Sequence, residues 1–153
     1  MPRGHPLAKH KTPTLKQLAA HPIVTYVFGF AGPSSLLEIF AQEGLVPNVV
    51  LTARDADVIK TYVRLGLGIG IVASMAIDPQ VDADLVQIDT SHLFPAHTSW
   101  IGFRRGGLLR KYQLDFMQLF APHLTKRVIE RAAGASTQAD VETLIADVAL
   151  PTK

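Results

Sequence analysis

The stretch that decides the fold covers residues 48–75 and reads NVVLTARDADVIKTYVRLGLGIGIVASM. It opens with an apolar run at 49–51, which is typical of a strand buried on both faces. A helical pattern follows, and residues 69–73 are again apolar and rich in β-branched side chains, which predicts a second buried strand. A strand, a helix and a second strand in this order predict a right-handed crossover between two parallel strands.

The helix between these strands has clear end signals. Asp55 can cap the first turn, because a short carboxylate accepts hydrogen bonds from N–H groups that have no partner within the helix. Gly66 stands where a left-handed residue ends a helix. The helical spacing predicts one buried apolar stripe, formed by Val58, Ile59, Tyr62 and Val63. Three polar residues are expected to face away from this stripe, namely Lys60, Thr61 and Arg64.

The residues before this stretch extend the same alternation. A short amphipathic helix is expected at 14–20, a first strand at 23–28 and a glycine-bearing turn at 29–35. A mostly buried helix then runs from Leu36 to Gly44. Together with the central stretch, this β-α-β-α-β order predicts an α/β fold with a parallel sheet, in which ligands bind at the carboxyl ends of the strands.

The pattern changes after residue 78. Short strands are expected at 85–88 and 99–103, followed by a helix at 108–121 and a further helical segment that Pro122 opens. The helix at 108–121 carries an apolar face made of Leu108, Leu109, Tyr112, Phe116, Leu119 and Phe120. A last, weakly amphipathic helix is predicted from the spacing of Val141, Leu144, Ile145 and Val148.

The amino-acid composition and the net charge exclude several classes of protein function. Of the 153 residues, 48% are hydrophobic and 18% are charged, as expected of a globular domain with its own core. The net charge of +2 gives no support for a nucleic-acid-binding surface. The absence of cysteine excludes disulfides, zinc–thiolate sites and thiol nucleophiles. The first residues lack the apolar core of a signal peptide and no apolar run is long enough to span a membrane, so a cytoplasmic location is expected.

Few motifs suggest catalysis or a cofactor. The triplet of Gly66, Gly68 and Gly70 ends a helix and enters a strand, the reverse of a dinucleotide fingerprint, so tight turning and close packing explain it better. The six histidines are scattered, and no pair shares a helix face as a metal site would require. Asp55 and Asp57 could ligate a cation, although capping and solvation are the preferred explanation. Neither a nucleophile elbow nor a P-loop occurs, so we expect no cofactor and no enzymatic activity.

The turn at 29–35 is the better candidate for a binding site. It joins a strand to a helix, so the N–H groups of Gly32, Ser34 and Ser35, the serine hydroxyls and the helix dipole could converge on a small anion. From the spacing alone, an ordinary capped turn explains these residues equally well.

Several segments of the chain resemble a known family. They are VTYVFGFAG at 24–32, TARDADVIKTYVRLGLGIGIVASMA at 52–76, IGFRR at 101–105 and DFMQLFAPHLT at 115–125. These segments are similar to the effector domains of LysR-type transcriptional regulators of the CysB-like subgroup. The resemblance implies a periplasmic-binding-protein-like fold of type 2 and a role in sulfur assimilation and cysteine biosynthesis. It also implies a cytoplasmic homo-oligomer that binds acetylserine-type inducers or sulfur oxyanions in a cleft between two α/β subdomains.

The resemblance further implies that the chain is a truncated, C-terminal part of such a regulator. Residues 12–96 would be the second effector-binding subdomain, and residues 97–134 would cross back to complete the first subdomain. Residues 135–153 would be a C-terminal extension. The rest of the first subdomain and the N-terminal domain, through which alone such regulators contact DNA, are expected to be absent.

The resemblance also assigns an effector site, whose wall residues would be Tyr26, Gly29, Phe30, Ala31, Gly32, Ser34 and Thr52. Family members commonly read Gly-Phe-Thr-Gly-Arg-Ser where this chain has residues 29–34. Relative to that pattern, Ala31 removes a hydroxyl, and Pro33 removes a guanidinium and a backbone N–H. The turn therefore lacks three groups with which other family members could bind an anion, and this difference counts against strong anion binding here.

Two other interpretations are open from the residues alone. A stand-alone solute-binding lobe would share the fold, but a signal peptide would be expected for it. A small α/β enzyme would need a base, a nucleophile or a metal-binding set, and the sequence offers none of these.

Overall fold

The computed structural model describes residues 1–27, 36–95, 101–103, 107–149 and 151. The chain divides into two compact units, Met1–His97 and Thr98–Lys153. In the described part of the chain, no helix is long and apolar enough to cross a membrane.

The first unit is built on a parallel sheet whose described strands are β1 (Ile23–Tyr26), β2 (Val49–Ala53) and β3 (Ile69–Ile71). The strand order is β2-β1-β3, and β1 runs parallel to both of its neighbours. Parallel neighbours require a crossover connection, which the intervening helices provide. The predicted β-α-β-α-β order and α/β fold class are therefore confirmed.

Burial along the strands corrects one expectation. The central strand β1 is buried over its first three residues, as its apolar sequence predicts. In contrast, β2 alternates between half-buried and exposed residues, and Val50 is 44% exposed. The prediction that residues 49–51 are buried on both faces is wrong, because Val49, Leu51 and Ala53 pack against the core clusters while Val50 and Thr52 are exposed.

Three helices accompany this sheet, namely α1 (Leu15–Ala19), α2 (Leu36–Gln42) and α3 (Ala56–Arg64). Thr14 caps α1, and Asp55 caps α3 as predicted, by accepting hydrogen bonds from N–H groups of the first turn. Gly44 and Gly66 close the turns after α2 and α3 with φ values of 65° and 82°. Glycine adopts this left-handed conformation without strain, which confirms the predicted helix ends.

The core of the first unit lies on both faces of the sheet. The α2-side cluster contains Leu7, Leu18, Ile23, Leu36, Phe40 and Ile69. The α3-side cluster consists of Val24, Ile59 and Val63. Because consecutive strand residues point to opposite faces, Ile23 and Val24 place β1 between these two clusters.

The glycine triplet after α3 allows close packing, as predicted. A Cβ atom added to Gly68 would collide with the carbonyl oxygen of Pro22, and one on Gly70 would lie 3.0 Å from Cγ2 of Val63. The same Pro22 carbonyl accepts a hydrogen bond of 2.8 Å from the N–H of Ile69. A side chain at residue 68 would therefore separate the start of β3 from the residue that precedes β1.

The strand predicted at 85–88 is wrong. Within these residues, all of which the structure describes, only Leu85 makes a β-bridge, and its antiparallel partner is Pro2. Two hydrogen bonds between the backbones of Met1 and Val86 flank this bridge. Because proline has no N–H group and cannot extend a ladder, the pairing ends after one bridge.

The second unit contains helices α4 (Lys111–Phe120), α5 (Lys126–Gly134) and α6 (Gln138–Ile145). Helix α5 packs against both of the others, and an ion pair of 3.1 Å between Lys126 and Asp115 connects α5 to α4. Along α4, Met117 is buried, whereas Tyr112, Phe116, Leu119 and Phe120 of the predicted apolar face are exposed.

The helix boundaries in the second unit differ from the predicted ones. The helix predicted at 108–121 begins only at Lys111, because Arg110 has an extended backbone and its N–H donates to Oε1 of Gln113. Helix α5 is capped by Thr125 and not opened by Pro122. Residues 101–103 do not form the predicted strand, and Ser99 and Trp100 lie outside the described residues.

Candidate functional site

The carboxyl ends of the three parallel strands meet at one edge of the sheet, which we call the carboxyl edge. Strand β1 ends at Tyr26, β2 at Ala53 and β3 at Ile71. The segments that follow β2 and β3, residues 54–55 and 72–76, therefore lie at this edge. Ligands of open parallel α/β sheets bind outside the carboxyl ends of the strands, so this edge is the candidate site.

Two of the predicted wall residues, Tyr26 and Thr52, lie in the described part of the carboxyl edge. Tyr26 is half-buried and packs against the α3-side cluster. Thr52 is exposed and pairs in register with Thr25, whose side chain lies on the opposite face from that of Tyr26 because strand side chains alternate. The two predicted wall residues are thus close along the backbone but present their side chains to different faces of the sheet.

The other predicted wall residues, Gly29, Phe30, Ala31, Gly32 and Ser34, lie outside the described residues. The anion site at the turn 29–35 therefore stays a prediction. The N–H of Val27 donates to the carbonyl of Ala53 at 2.9 Å, so the pairing between β1 and β2 continues up to the last described residue before that turn.

Thr25 is a buried polar residue that the sequence analysis missed. It is the last residue but one of β1, and its Oγ1 donates a hydrogen bond of 3.0 Å to the carbonyl of Ile71. A signal was available, because a hydroxyl within a strand that is predicted to be buried must find a hydrogen-bond partner. Thr25 ties the end of β1 to the end of β3 at the carboxyl edge.

The polar side of α3 differs from the prediction. Lys60 was expected to face away from the core, but only 6% of this residue is exposed. Its ammonium donates to the carbonyl oxygen of Ala76 and to Oδ2 of Asp82, each at 2.9 Å. The same ammonium forms an ion pair of 2.9 Å with Oδ1 of Asp57. Three acceptors thus use the three N–H bonds of one buried ammonium.

The buried face of α3 is therefore rotated about the helix axis relative to the predicted apolar stripe. Ile59 and Val63 are buried as predicted, whereas Val58 and Tyr62 are 43% and 39% exposed. The buried face of the helix includes Lys60 because Asp82 and the chain around it pack along that side.

Asp82 stands at the centre of a network of ion pairs. Its side chain is 1% exposed, and its Oδ1 accepts a hydrogen bond of 2.8 Å from Arg64. Its Oδ2 accepts from Lys60 and from the N–H of Asp78, the latter at 3.0 Å. Arg64 also pairs with Asp84 at 2.7 Å. We call this set the α3 ion-pair network, consisting of Asp57, Lys60, Arg64, Asp82 and Asp84.

The network keeps its buried members charged. The hydrogen bonds from Lys60 and from the backbone of Asp78 lower the pKa of Asp82 from 3.8 to about 2. Hydrogen bonds to Asp57 and Asp82 raise the pKa of Lys60 above its ordinary value. Because both oxygens of Asp82 and all three donors of Lys60 are engaged inside the protein, this pair is not an open site for a metal ion or an anion.

The described histidines and acidic residues do not form a metal centre. Nδ1 of His5 accepts from the N–H of Leu7 at 3.2 Å, and its ring meets the ring of His21 at 4.6 Å between centroids. Burial, followed by the neighbouring His21, lowers the pKa of His5. The ring of His92 contacts the carbonyl of Pro13 at 3.0 Å. Among the described residues, no group of three or more histidine, aspartate or glutamate side chains is placed to hold a metal ion.

A groove that the sequence analysis did not predict lies beside the end of α2. Its volume is about 360 Å³, and it is lined by Leu15, Ile39, Gln42, Glu43, His92, Leu93 and Pro95. None of these residues belongs to the carboxyl-edge segments. The groove is therefore a different concave surface of the first unit and an alternative location for ligand binding.

Comparison with known proteins identifies the family to which this fold belongs. Residues 1–125 match the LysR substrate binding domain. The chain is 51% identical to the HTH-type transcriptional regulator CysB of Haemophilus influenzae, over 97% of this chain and 46% of that protein. It is 53% identical to the HTH-type transcriptional regulator SsuR of Burkholderia cenocepacia, over 84% of this chain and 42% of that protein. The crystal structure of the cofactor-binding domain of the Cbl transcriptional regulator matches with a TM-score of 0.76 and 43% identity, over 89% of this chain and 60% of that one.

The chain belongs to the LysR substrate-binding-domain family and has the type 2 periplasmic-binding-protein-like fold of that family, as expected. Within the family it is a CysB-like member, similar to the CysB, SsuR and Cbl regulators. It spans about half the length of the curated relatives that it matches. These relatives are all transcriptional regulators.

Proposed function

We propose that this chain is the inducer-binding part of a CysB-like regulator that controls sulfur assimilation and cysteine biosynthesis. Its ligand would be an acetylserine-type inducer or a sulfur oxyanion, bound at the carboxyl edge of the first unit. The observation that carries the proposal is the family match over residues 1–125, which includes the whole parallel sheet. A parallel sheet of this kind binds its ligands at the carboxyl ends of the strands.

The chemistry of the carboxyl edge supports an anionic ligand. Thr52 carries an exposed hydroxyl near the end of β2, and Arg54 follows two residues later with an exposed side chain. A guanidinium matches the geometry of carboxylate and sulfate oxygens, and a hydroxyl can donate one further hydrogen bond. Tyr26, Gly29, Phe30, Ala31, Gly32 and Ser34 complete the proposed wall.

The proposed organisation follows the same resemblance. Residues 12–96 would form the second effector-binding subdomain, residues 97–134 would cross back to the first, and residues 135–153 would extend beyond it. The regulator would be a cytoplasmic homo-oligomer. DNA would be bound by a domain outside this chain, since its net charge is only +2.

Isothermal titration calorimetry tests this proposal. The whole 153-residue chain would be titrated with N-acetylserine and, separately, with sodium sulfate. We expect saturable binding of at least one of them, and Thr52→Ala should weaken it by about ten- to a hundredfold, which corresponds to the loss of one hydrogen bond to a charged group. Thr12→Ala, an exposed threonine outside the carboxyl edge, is the matched control and should bind like the wild type. Absence of saturable heat with both compounds would contradict the proposal.

A further inference from the structure

We propose that Lys60 is a positioning residue of the effector site, which holds the segment after β3 against the first turn of α3. The inference rests on the proposed function, because it concerns the shape of the same carboxyl edge. Lys60 itself is buried beneath this edge and would not touch the ligand.

The position of the three acceptors of Lys60 carries the argument. Asp57 lies in the first turn of α3, and this turn follows directly on the loop after β2. Ala76 is the last residue of a short 3₁₀ helix, Ser74–Ala76, which begins three residues after the end of β3. Because Asp57 stands three residues before Lys60 on the same helix, their ion pair lies along α3, whereas the bonds of Lys60 to Ala76 and Asp82, each at 2.9 Å, join α3 to the segment after β3. A change at Lys60 should alter the position of this segment relative to the first turns of α3.

Between its two ends, the chain after β3 has few apolar contacts that could replace this connection. Val72 and Leu85 pack against the α3-side cluster, whereas Met75 is 66% exposed and Val81 is 70% exposed. The part between Val72 and Leu85 is held chiefly by the polar contacts of Asp82 with Lys60, with Arg64 and with the N–H of Asp78. Loss of these contacts should loosen the segment without opening the sheet, because local stability depends on the contacts of each region.

Stability alone does not explain a buried lysine at this place. A buried ion pair contributes little net stability compared with apolar residues of similar volume, because both charges must leave water. An apolar side chain, however, cannot fix a carbonyl and two carboxylates at hydrogen-bond distance. The ammonium therefore supplies a defined geometry for the segment 74–82, and this geometry is what a binding site at the carboxyl edge requires.

Amide hydrogen exchange of the whole chain tests the inference without any ligand. The reporters are the amides of Ala76 and Ile77, which donate to the carbonyls of Ala73 and Ser74. In Lys60→Met, these amides should exchange about ten- to a hundredfold faster, as expected for the loss of charge-assisted hydrogen bonds. The amide of Ile69, which bonds to Pro22 in the sheet, should change much less. Lys16→Met removes an exposed helical lysine and is the matched control.

The double variant Lys60→Met/Asp82→Leu separates positioning from stability. It leaves no orphan charge at Asp82, so its urea midpoint should be close to that of the wild type. Fast exchange at Ala76 and Ile77 should nevertheless persist, and sulfate should bind about tenfold more weakly or worse. Wild-type exchange at both amides in the double variant would overturn the inference, as would equal acceleration of Ile69 and Ile77 in Lys60→Met.

The binding and hydrogen-exchange experiments distinguish the proposed function from the positioning role of Lys60. If the wild-type chain binds neither sulfate nor N-acetylserine, the proposed function fails, and the exchange of Ala76 and Ile77 still decides whether Lys60 positions the segment. If the wild type binds sulfate and the double variant binds it equally well, the positioning role is refuted while the proposed function stands.

Discussion

The ammonium of Lys60 lies 2.9 Å from Oδ2 of Asp82, and the two side chains are only 8% and 1% exposed. This pair joins a helix that crosses between two strands to the irregular chain that follows the second of them. Removal of one partner would leave Lys60 with Asp57 alone, or Asp82 with Arg64 alone, as its ionic partner. A single substitution at either residue should therefore cost more stability than the joint replacement Lys60→Met/Asp82→Leu.

The same pair predicts how stability depends on pH. The pKa of Asp82 falls from 3.8 to about 2 on folding, chiefly through the hydrogen bond from Lys60. A carboxylate with a depressed folded-state pKa contributes stability above its unfolded pKa, and this contribution is lost as pH falls through the folded pKa. Asp82→Asn should therefore be less stable than the wild type at about pH 6, and the difference should shrink between about pH 4 and about pH 2.

Urea unfolding at a series of pH values measures this difference. Asp147→Asn, which removes an exposed carboxylate, is the control and should follow the wild type throughout. A difference between Asp82→Asn and the wild type that stays constant over the acidic range would show that the charge of Asp82 does not contribute as described.

Gly68 should be intolerant of any side chain. A Cβ atom there would meet the carbonyl of Pro22, which is also the acceptor for the N–H of Ile69. We expect Gly68→Ala to destabilise the chain by about 1–3 kcal/mol, the usual range for overpacking. Gly4→Ala is the control, because no atom lies within 4 Å of the added Cβ. Thermal unfolding that gives the two variants the same midpoint would disprove the close packing at Gly68.

The turn at 29–35 allows a gain-of-affinity prediction from sequence alone. Ala31→Thr with Pro33→Arg restores the hydroxyl, the guanidinium and the backbone N–H that family members carry. If this turn binds the anion, sulfate affinity should rise by about 1.5–3 kcal/mol, the contribution of a hydrogen bond to a charged group. Each single variant should give part of the gain. An unchanged affinity in calorimetry would remove this turn from the proposed site.

The exposed face of α4 predicts self-association of the chain. Tyr112, Phe116, Leu119 and Phe120 are 65%, 61%, 81% and 58% exposed, and the rings of Phe116 and Phe120 stack at 6.3 Å. An exposed apolar patch of several hundred Å² usually marks an interface. Size exclusion with light scattering should detect dimers or larger species, and Phe116→Ser/Phe120→Ser should reduce them. A stable wild-type monomer at tens of micromolar would contradict this prediction.

The elements that local rules govern could be predicted from the sequence. Asp55 and Gly66 mark the ends of α3 by short-range hydrogen bonding and backbone geometry, and both were identified correctly. Lys60 was misjudged because its partner Asp82 lies 22 residues further along the chain, and helical periodicity contains no information about such a partner. The edge position of β2 was missed for a related reason, since strand order depends on crossovers and not on composition.

The candidate site was predictable only in part. The carboxyl edge follows from the β-α-β-α-β order. Thr52, which only the family resemblance assigns to the effector site, lies near the end of β2, and its role in binding stays a prediction. The side chains of Tyr26 and Thr52 point to opposite faces of the sheet. This also follows from strand alternation, once the register of Thr25 with Thr52 is known. That register depends on a shift between Ile23 and Val24, which no pattern in the sequence indicates.

The central claim is that an anionic inducer binds at the carboxyl edge of the sheet. Its most direct test is a ¹H–¹⁵N NMR titration of the whole chain with sulfate and with N-acetylserine. We predict that the shifted amides cluster at residues 26–27, 52–55 and 72–76. Shifts centred on the groove lined by Leu15, Ile39 and Leu93, or no saturable shift with either compound, would contradict the claim.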